Sequence, residues 1–207
     1  MNALYIKASW LGTFDESATT DQQFSGLDGA KQTVPMMHGG SDSSAGGEGW
    51  IGATKTYTGG LTAQFILPVE GRFDEIATDL DRVFAEYTAN QTSPSTLGLP
   101  RFDLQFSAEL SPALQSLGVT APYTAGGLLG VANDPRLIVD KVFHQTDVAM
   151  DEKGTEAAAA TVVLVYPVSL PVNPPVPVVL DRPFLYRIVD DQSGATLFVG
   201  QVVNPVG

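Results

Sequence analysis

The segment from Gly154 to Val165 sets two requirements that few folds meet together. Gly154-Thr155-Glu156-Ala157-Ala158-Ala159-Ala160-Thr161 carries small side chains and suits an exposed loop. Thr161-Val162-Val163-Leu164-Val165 is mostly β-branched and suits a strand. Nothing bulky or charged follows Glu156 in this stretch, so alternate side chains would fit a packed sheet if the segment entered one as a central strand. A helical linker is the alternative for the alanines alone. It conflicts with Gly154 ahead of the run and with the β-branched residues behind it.

The remainder reads as strands with few helices. Glycine and proline together number 35, and such turn-formers favour a strand-rich chain over a helical bundle. Leu4 to Trp10 reads as a short apolar strand, followed by a polar, turn-rich stretch through Asp28-Gly29. The residues from Gly39 to Gly49 read as a flexible turn. Trp50–Tyr57 and Leu61–Leu67 flank Gly59-Gly60 as a hairpin. Phe73, Ile76, Ala77, Leu80, Val83, Phe84 and Tyr87 share one face at helical spacing and predict a single amphipathic helix. Phe102, Leu104 and Phe106 alternate as in a half-buried strand. Ser111-Pro112 starts a short helix with Leu114 and Leu117 inside. Leu137 to Met150 reads as a long strand, and a hairpin around Gln192-Ser193-Gly194 closes the chain. The fold class is α+β, mainly antiparallel.

Acidic residues outnumber basic ones by 23 to 11, for a formal charge of −12. That field repels nucleic-acid backbones and anionic membrane surfaces, so neither is an expected partner. The absence of cysteine excludes disulfides, thiol catalysis and cysteine metal sites. No apolar run approaches the roughly 18 residues of a membrane helix. There are two histidines, no Gly-x-Ser-x-Gly elbow and no closely spaced histidine pair. Catalysis, a metal site and a cofactor are therefore not expected. Asn90-Gln91-Thr92 fits a glycosylation sequon, and His38 reads as an exposed turn residue.

Several motifs, in order along the chain, resemble the serpins, a family of serine protease inhibitors. They are Asn2-Ala3-Leu4-Tyr5-Ile6-Lys7 with Trp10, Val34-Pro35-Met36-Met37, Leu99-Pro100-Arg101-Phe102, the hinge Gly154 to Thr161, Val178-Val179-Leu180-Asp181-Arg182-Pro183-Phe184-Leu185-Tyr186-Arg187-Ile188, and Val202-Val203-Asn204-Pro205. The resemblance implies that residues 1–207 form the C-terminal portion of one serpin-like domain. The N-terminal helical half and part of the central sheet are absent, and a reactive-centre loop spans about 153–177. It implies a bait loop that a serine protease cleaves, and insertion of that loop between strands at Leu4–Lys7 and Leu137–Met150. Thr155 would enter first, with Ala157, Ala159, Thr161, Val163 and Val165 alternating inward. Counting as in the antitrypsin-type members places the reactive bond at Val168-Ser169, after Pro167. Valine there suits an elastase-like protease. Glu152 paired with Arg101, Trp10 at the loop entrance and a buried His144 would support the hinge. The Glu152–Arg101 pair is expected to be exposed and worth about 0–1 kcal/mol. A complementing N-terminal serpin chain is a possible partner. An extracellular setting is expected over a cytoplasmic one, with no signal peptide in this chain.

Overall fold

A computed structural model describes residues 2–155 and 176–206. Val168, Ser169 and the hinge residues Glu156 to Thr161 lie outside the described residues. Fourteen strands and three α-helices run along the described chain. The strands are β1 (Asn2–Tyr5), β2 (Ala8–Ser9), β3 (Thr20–Ser25), β4 (Lys31–Gly40), β5 (Ser43–Gly47), β6 (Trp50–Tyr57) and β7 (Leu61–Pro68). They continue with β8 (Thr96–Pro100), β9 (Phe102–Glu109), β10 (Phe143–Met150), β11 (Gly154–Thr155), β12 (Val178–Val179), β13 (Phe184–Asp190) and β14 (Thr196–Val202). The helices are α1 (Phe73–Thr78), α2 (Leu80–Ala89) and α3 (Ser111–Ser116), and no described helix is long and apolar enough to cross a membrane.

The chain divides into two compact units. The first, Met1–Ile6 with Leu104–Val148, centres on the sheet β1-β10-β9. There β1 runs parallel to β10, with Leu4 opposite Thr146. The two strands proposed to admit the loop are thus direct neighbours, with no gap between them. Strand β10 begins at Phe143 rather than Leu137. Leu117, expected inside, is 80% exposed, and Ser111 caps no helix: its hydroxyl accepts the N–H of Val142. Tyr5, Phe106 and Val131 are exposed in the same unit.

The second unit, Lys7–Asp103 with Ala149–Gly207, holds the larger core. Its five-stranded antiparallel sheet has the order β14-β13-β7-β6-β5, and its four-stranded sheet the order β12-β8-β4-β3. Tyr57 pairs with Leu61, so Thr58, Gly59 and Gly60 make the turn, and both glycines take the positive φ that side chains disfavour. Successive residues on β7 face opposite ways. Ile66 meets the helices in a cluster with Trp50, Phe73, Ile76, Val83, Tyr87 and Leu185, while Phe65 meets Phe184 on the other face.

Four sequence readings need correction here. The helix expected from Phe73 to Tyr87 is two helices, broken at Asp79, whose φ of −122° and ψ of 52° leave the helical region. The turn-rich stretch before Asp28 contains β3, a polar edge strand with only Phe24 buried. The glycine-serine run expected to be a flexible turn contains β5, and His38 lies half-buried on β4 with its Nε2 2.8 Å from Gln22 Nε2. Glycine here serves close approach rather than freedom. A Cβ on Gly47 would sit 2.4 Å from Trp50 Nε1, and one on Gly52 2.5 Å from the Tyr87 ring and 2.6 Å from the Phe65 carbonyl.

Gly52→Val should lower stability by about 1–3 kcal/mol, the cost of overpacking against a backbone carbonyl that cannot step aside. Urea denaturation of the variant beside the parent checks this. An unchanged midpoint would show that Tyr87 moves away without cost.

Candidate functional site: the seat of the hinge

The base of the proposed bait loop leaves β10 through a tight turn. Asp151 Oδ1 accepts the N–H groups of Lys153 (2.8 Å) and Gly154 (3.0 Å), and the Asp151 N–H donates to the Gly154 carbonyl (2.9 Å). An aspartate closing its own turn in this way is a common local solution. The chain then pairs as β11 with β2, Gly154 opposite Ser9 and Thr155 opposite Ala8. Gly154 has φ +146°, and a Cβ there would lie 2.2 Å from the Ala8 carbonyl oxygen. No other residue fits that position without moving β2.

Residues 10 to 14 form the floor. The N–H of Trp10 donates to the Lys153 carbonyl (2.8 Å), and the N–H of Phe14 to that of Glu152 (2.9 Å). Trp10 is fully buried, and its Nε1 donates to the Asp151 carbonyl at 2.9 Å. Its ring stacks on Tyr57 at 4.0 Å, and the Tyr57 hydroxyl lies 2.8 Å from Thr155 Oγ1. Burial pushes the Tyr57 hydroxyl pKa well above its ordinary value, so it remains a neutral hydrogen-bonding partner.

Glu152 and Arg101 come together as the sequence reading proposed, with Arg101 Nη2 2.5 Å from Glu152 Oε1. The pair is not the exposed one expected. Glu152 is 4% exposed and also accepts from the Thr19 hydroxyl at 2.7 Å, whereas the Arg101 side chain is 48% exposed. Burial pulls the Glu152 carboxyl pKa upward. The hydrogen bonds from Arg101 and Thr19 outweigh it, and the net displacement is below the usual carboxylate value. His144 departs further from expectation. It is half-buried on β10, and its Nε2 lies 2.8 Å from the hydroxyl of Thr146 on the same strand. Thr146 stands two residues away, so both side chains point to one face of the sheet.

The sequence reading missed Asp151, Tyr57, Thr19 and Lys55. Lys55 alone left a signal, as the only charged residue between Trp50 and Pro68. Among the described residues no group of three histidines or carboxylates could hold a metal ion.

The serpin (serine protease inhibitor) family model matches residues 1–205. The chain belongs to the serpin family. It is 31% identical to Serpin-Z3 of Arabidopsis thaliana over 99% of this chain and 56% of that protein. It is 32% identical to alpha-1-antiproteinase 2 of Equus caballus over 99% of this chain and 49% of that protein. Among solved structures it is similar to human thyroxine-binding globulin, with TM-score 0.84 and 25% identity over 99% of this chain and 56% of that one. It also matches the thermophilic serpin tengpin in its native state, with TM-score 0.81 and 26% identity over 98% of this chain and 54% of that one. The chain spans about half the length of the curated relatives it matches.

Arg101→Ala leaves a buried carboxylate with the Thr19 hydroxyl as its remaining side-chain donor. It should cost about 1–2 kcal/mol, discounted because water reaches Arg101. The pH dependence fixes the sign. Because the folded-state pKa of Glu152 is lowered, its contribution is complete above the unfolded value and is lost as pH falls through the folded value. Thermal melts of the parent and Glu152→Gln should therefore differ at pH 7 and converge as the pH falls through the lowered folded-state value. A gap independent of pH would mean that Glu152 acts by packing alone.

Proposed function

We propose that this chain carries the bait of a serine protease inhibitor. The single observation behind this reading is the anchored hinge base: Gly154 and Thr155 are held on β2, Glu152 is held by Arg101 and Thr19, and all of it rests on Trp10. The chain is held again where Val178 pairs with Leu97 on β8. Residues 156–177, between these two anchors, are the stretch offered to a protease. The target's serine hydroxyl attacks the carbonyl carbon of Val168. The Val168–Ser169 peptide bond breaks, an ester joins Val168 to the protease, and the proton leaves with the freed amine of Ser169. Valine before the bond fits a small apolar primary pocket, so the proposed target is elastase-like. There is no lysine or arginine from Gly154 to Leu180 that a trypsin-like enzyme could use.

Trapping requires the cleaved loop to enter the central sheet, a strand-addition step. One observation favours a second reading, in which the chain is cut and released as a substrate or acts as a non-inhibitory interaction module. Strands β1 and β10 are paired to each other. Thyroxine-binding globulin, a neighbour in fold, is solved in complex with thyroxine. A complementing N-terminal serpin chain would restore the inhibitory reading.

Elastase mixed with the purified chain and run on a denaturing gel separates these readings. A covalent band at the summed mass supports the trap. Cleavage at Val168 with full protease activity remaining supports the bait register and reduces the chain to a substrate. Resistance of the whole 154–177 stretch to cleavage overturns the register.

A further inference from the structure

Lys55 lies at the back of the hinge seat. It sits on β6 opposite Ala63 and is 4% exposed. Its Nζ donates to the Gly40 carbonyl at 3.1 Å and lies 4.4 Å from the Phe14 ring centre and 5.9 Å from that of Trp10. No carboxylate forms an ion pair with it among the described residues. Asp42 acts on it from a distance, but Asp42 Oδ2 already accepts the N–H of Thr56 at 2.6 Å. The other titratable groups nearby have their own partners. Glu152 is held by Arg101 and Thr19, Glu16 pairs with Lys153, Asp15 with Ser17, and His38 with Gln22. Tyr57 stays neutral.

An ammonium has three donors, and here one carbonyl and two aromatic faces meet it. The ring faces return part of the hydration it lost. Burial outweighs the attraction of Asp42 and lowers the Lys55 pKa to about 8. Charged Lys55 can recover water by lifting Phe14 and Trp10. Those are the residues whose N–H groups hold the Glu152 and Lys153 carbonyls. Phe14 occupies the space that a Cβ on Gly39 would take, 2.8 Å from that position.

We infer that Lys55 is a proton-operated positioning residue for the hinge: charged, it loosens the seat of residues 152–155, and neutral, it tightens it. The consequence for inhibition rests on the bait-loop reading, but the measurement does not. Linkage fixes the direction. Between the folded and unfolded pKa values the opened seat binds more protons than the closed one, so closure strengthens as pH rises through that window.

The test is hydrogen exchange at the Trp10 and Phe14 amides of the full chain, with protection factors taken against unstructured rates at pH 7 and pH 9.5. Protection should rise on the order of tenfold to thirtyfold. Lys55→Met should show high protection at both pH values, and Lys55→Arg, which stays charged, low protection at both. The parent's own profile decides the matter even where a variant fails to fold, and carbon-13 NMR of the Lys55 ε-methylene reads the titration directly. Flat protection in the parent, the same rise in Lys55→Met, or titration of Lys55 near its ordinary value would overturn the assignment. Because no protease is present, failure of the bait reading on the gel leaves this result untouched, and the reverse holds as well.

Discussion

The stack of Trp10 on Tyr57 organises the hinge region. A buried indole needs a partner for its N–H, and Trp10 finds it in the carbonyl of Asp151. The same residue's backbone N–H holds Lys153, and the Tyr57 hydroxyl beneath it meets Thr155. One aromatic contact, worth about 0.5–1.5 kcal/mol beyond its buried area, therefore positions both the turn before β11 and the first residues of the hinge. Gly154 is the counterpart on the other side. Its backbone reaches β2 only because it has no Cβ.

Around this contact the seat combines two titratable groups that both tighten it as pH rises. The Glu152–Arg101 pair holds the hinge through charge-assisted hydrogen bonds and weakens in acid. Lys55 presses from behind, and its charge fades in mild alkali. The two act in separate pH ranges, the carboxylate in acid and the ammonium in mild alkali.

Much of this was legible in the chain. The hairpin around Gly59-Gly60, the closing hairpin, the apolar face of the two helices and the Glu152–Arg101 partnership all follow from spacing, turn chemistry and family resemblance. The failures share a cause. Strand β3 is polar because it is an edge, and β5 is glycine-rich because Trp50 and α2 press on it, so neither shows the alternation that marks an ordinary strand. The break at Asp79 left the helical period of the apolar residues intact and so was invisible in it.

By itself the sequence determined the strand-rich class, the family, and which residues are small enough to form a hinge. Those properties reside in local periodicity and in side-chain size. Tertiary structure alone decided that Glu152 is buried while Arg101 is not, that Lys55 lies under Trp10 and Phe14, and that β1 and β10 pair directly. Burial and pairing depend on residues far apart in the chain, such as Trp10 and Asp151, 141 positions apart, and no local pattern encodes the distance between them.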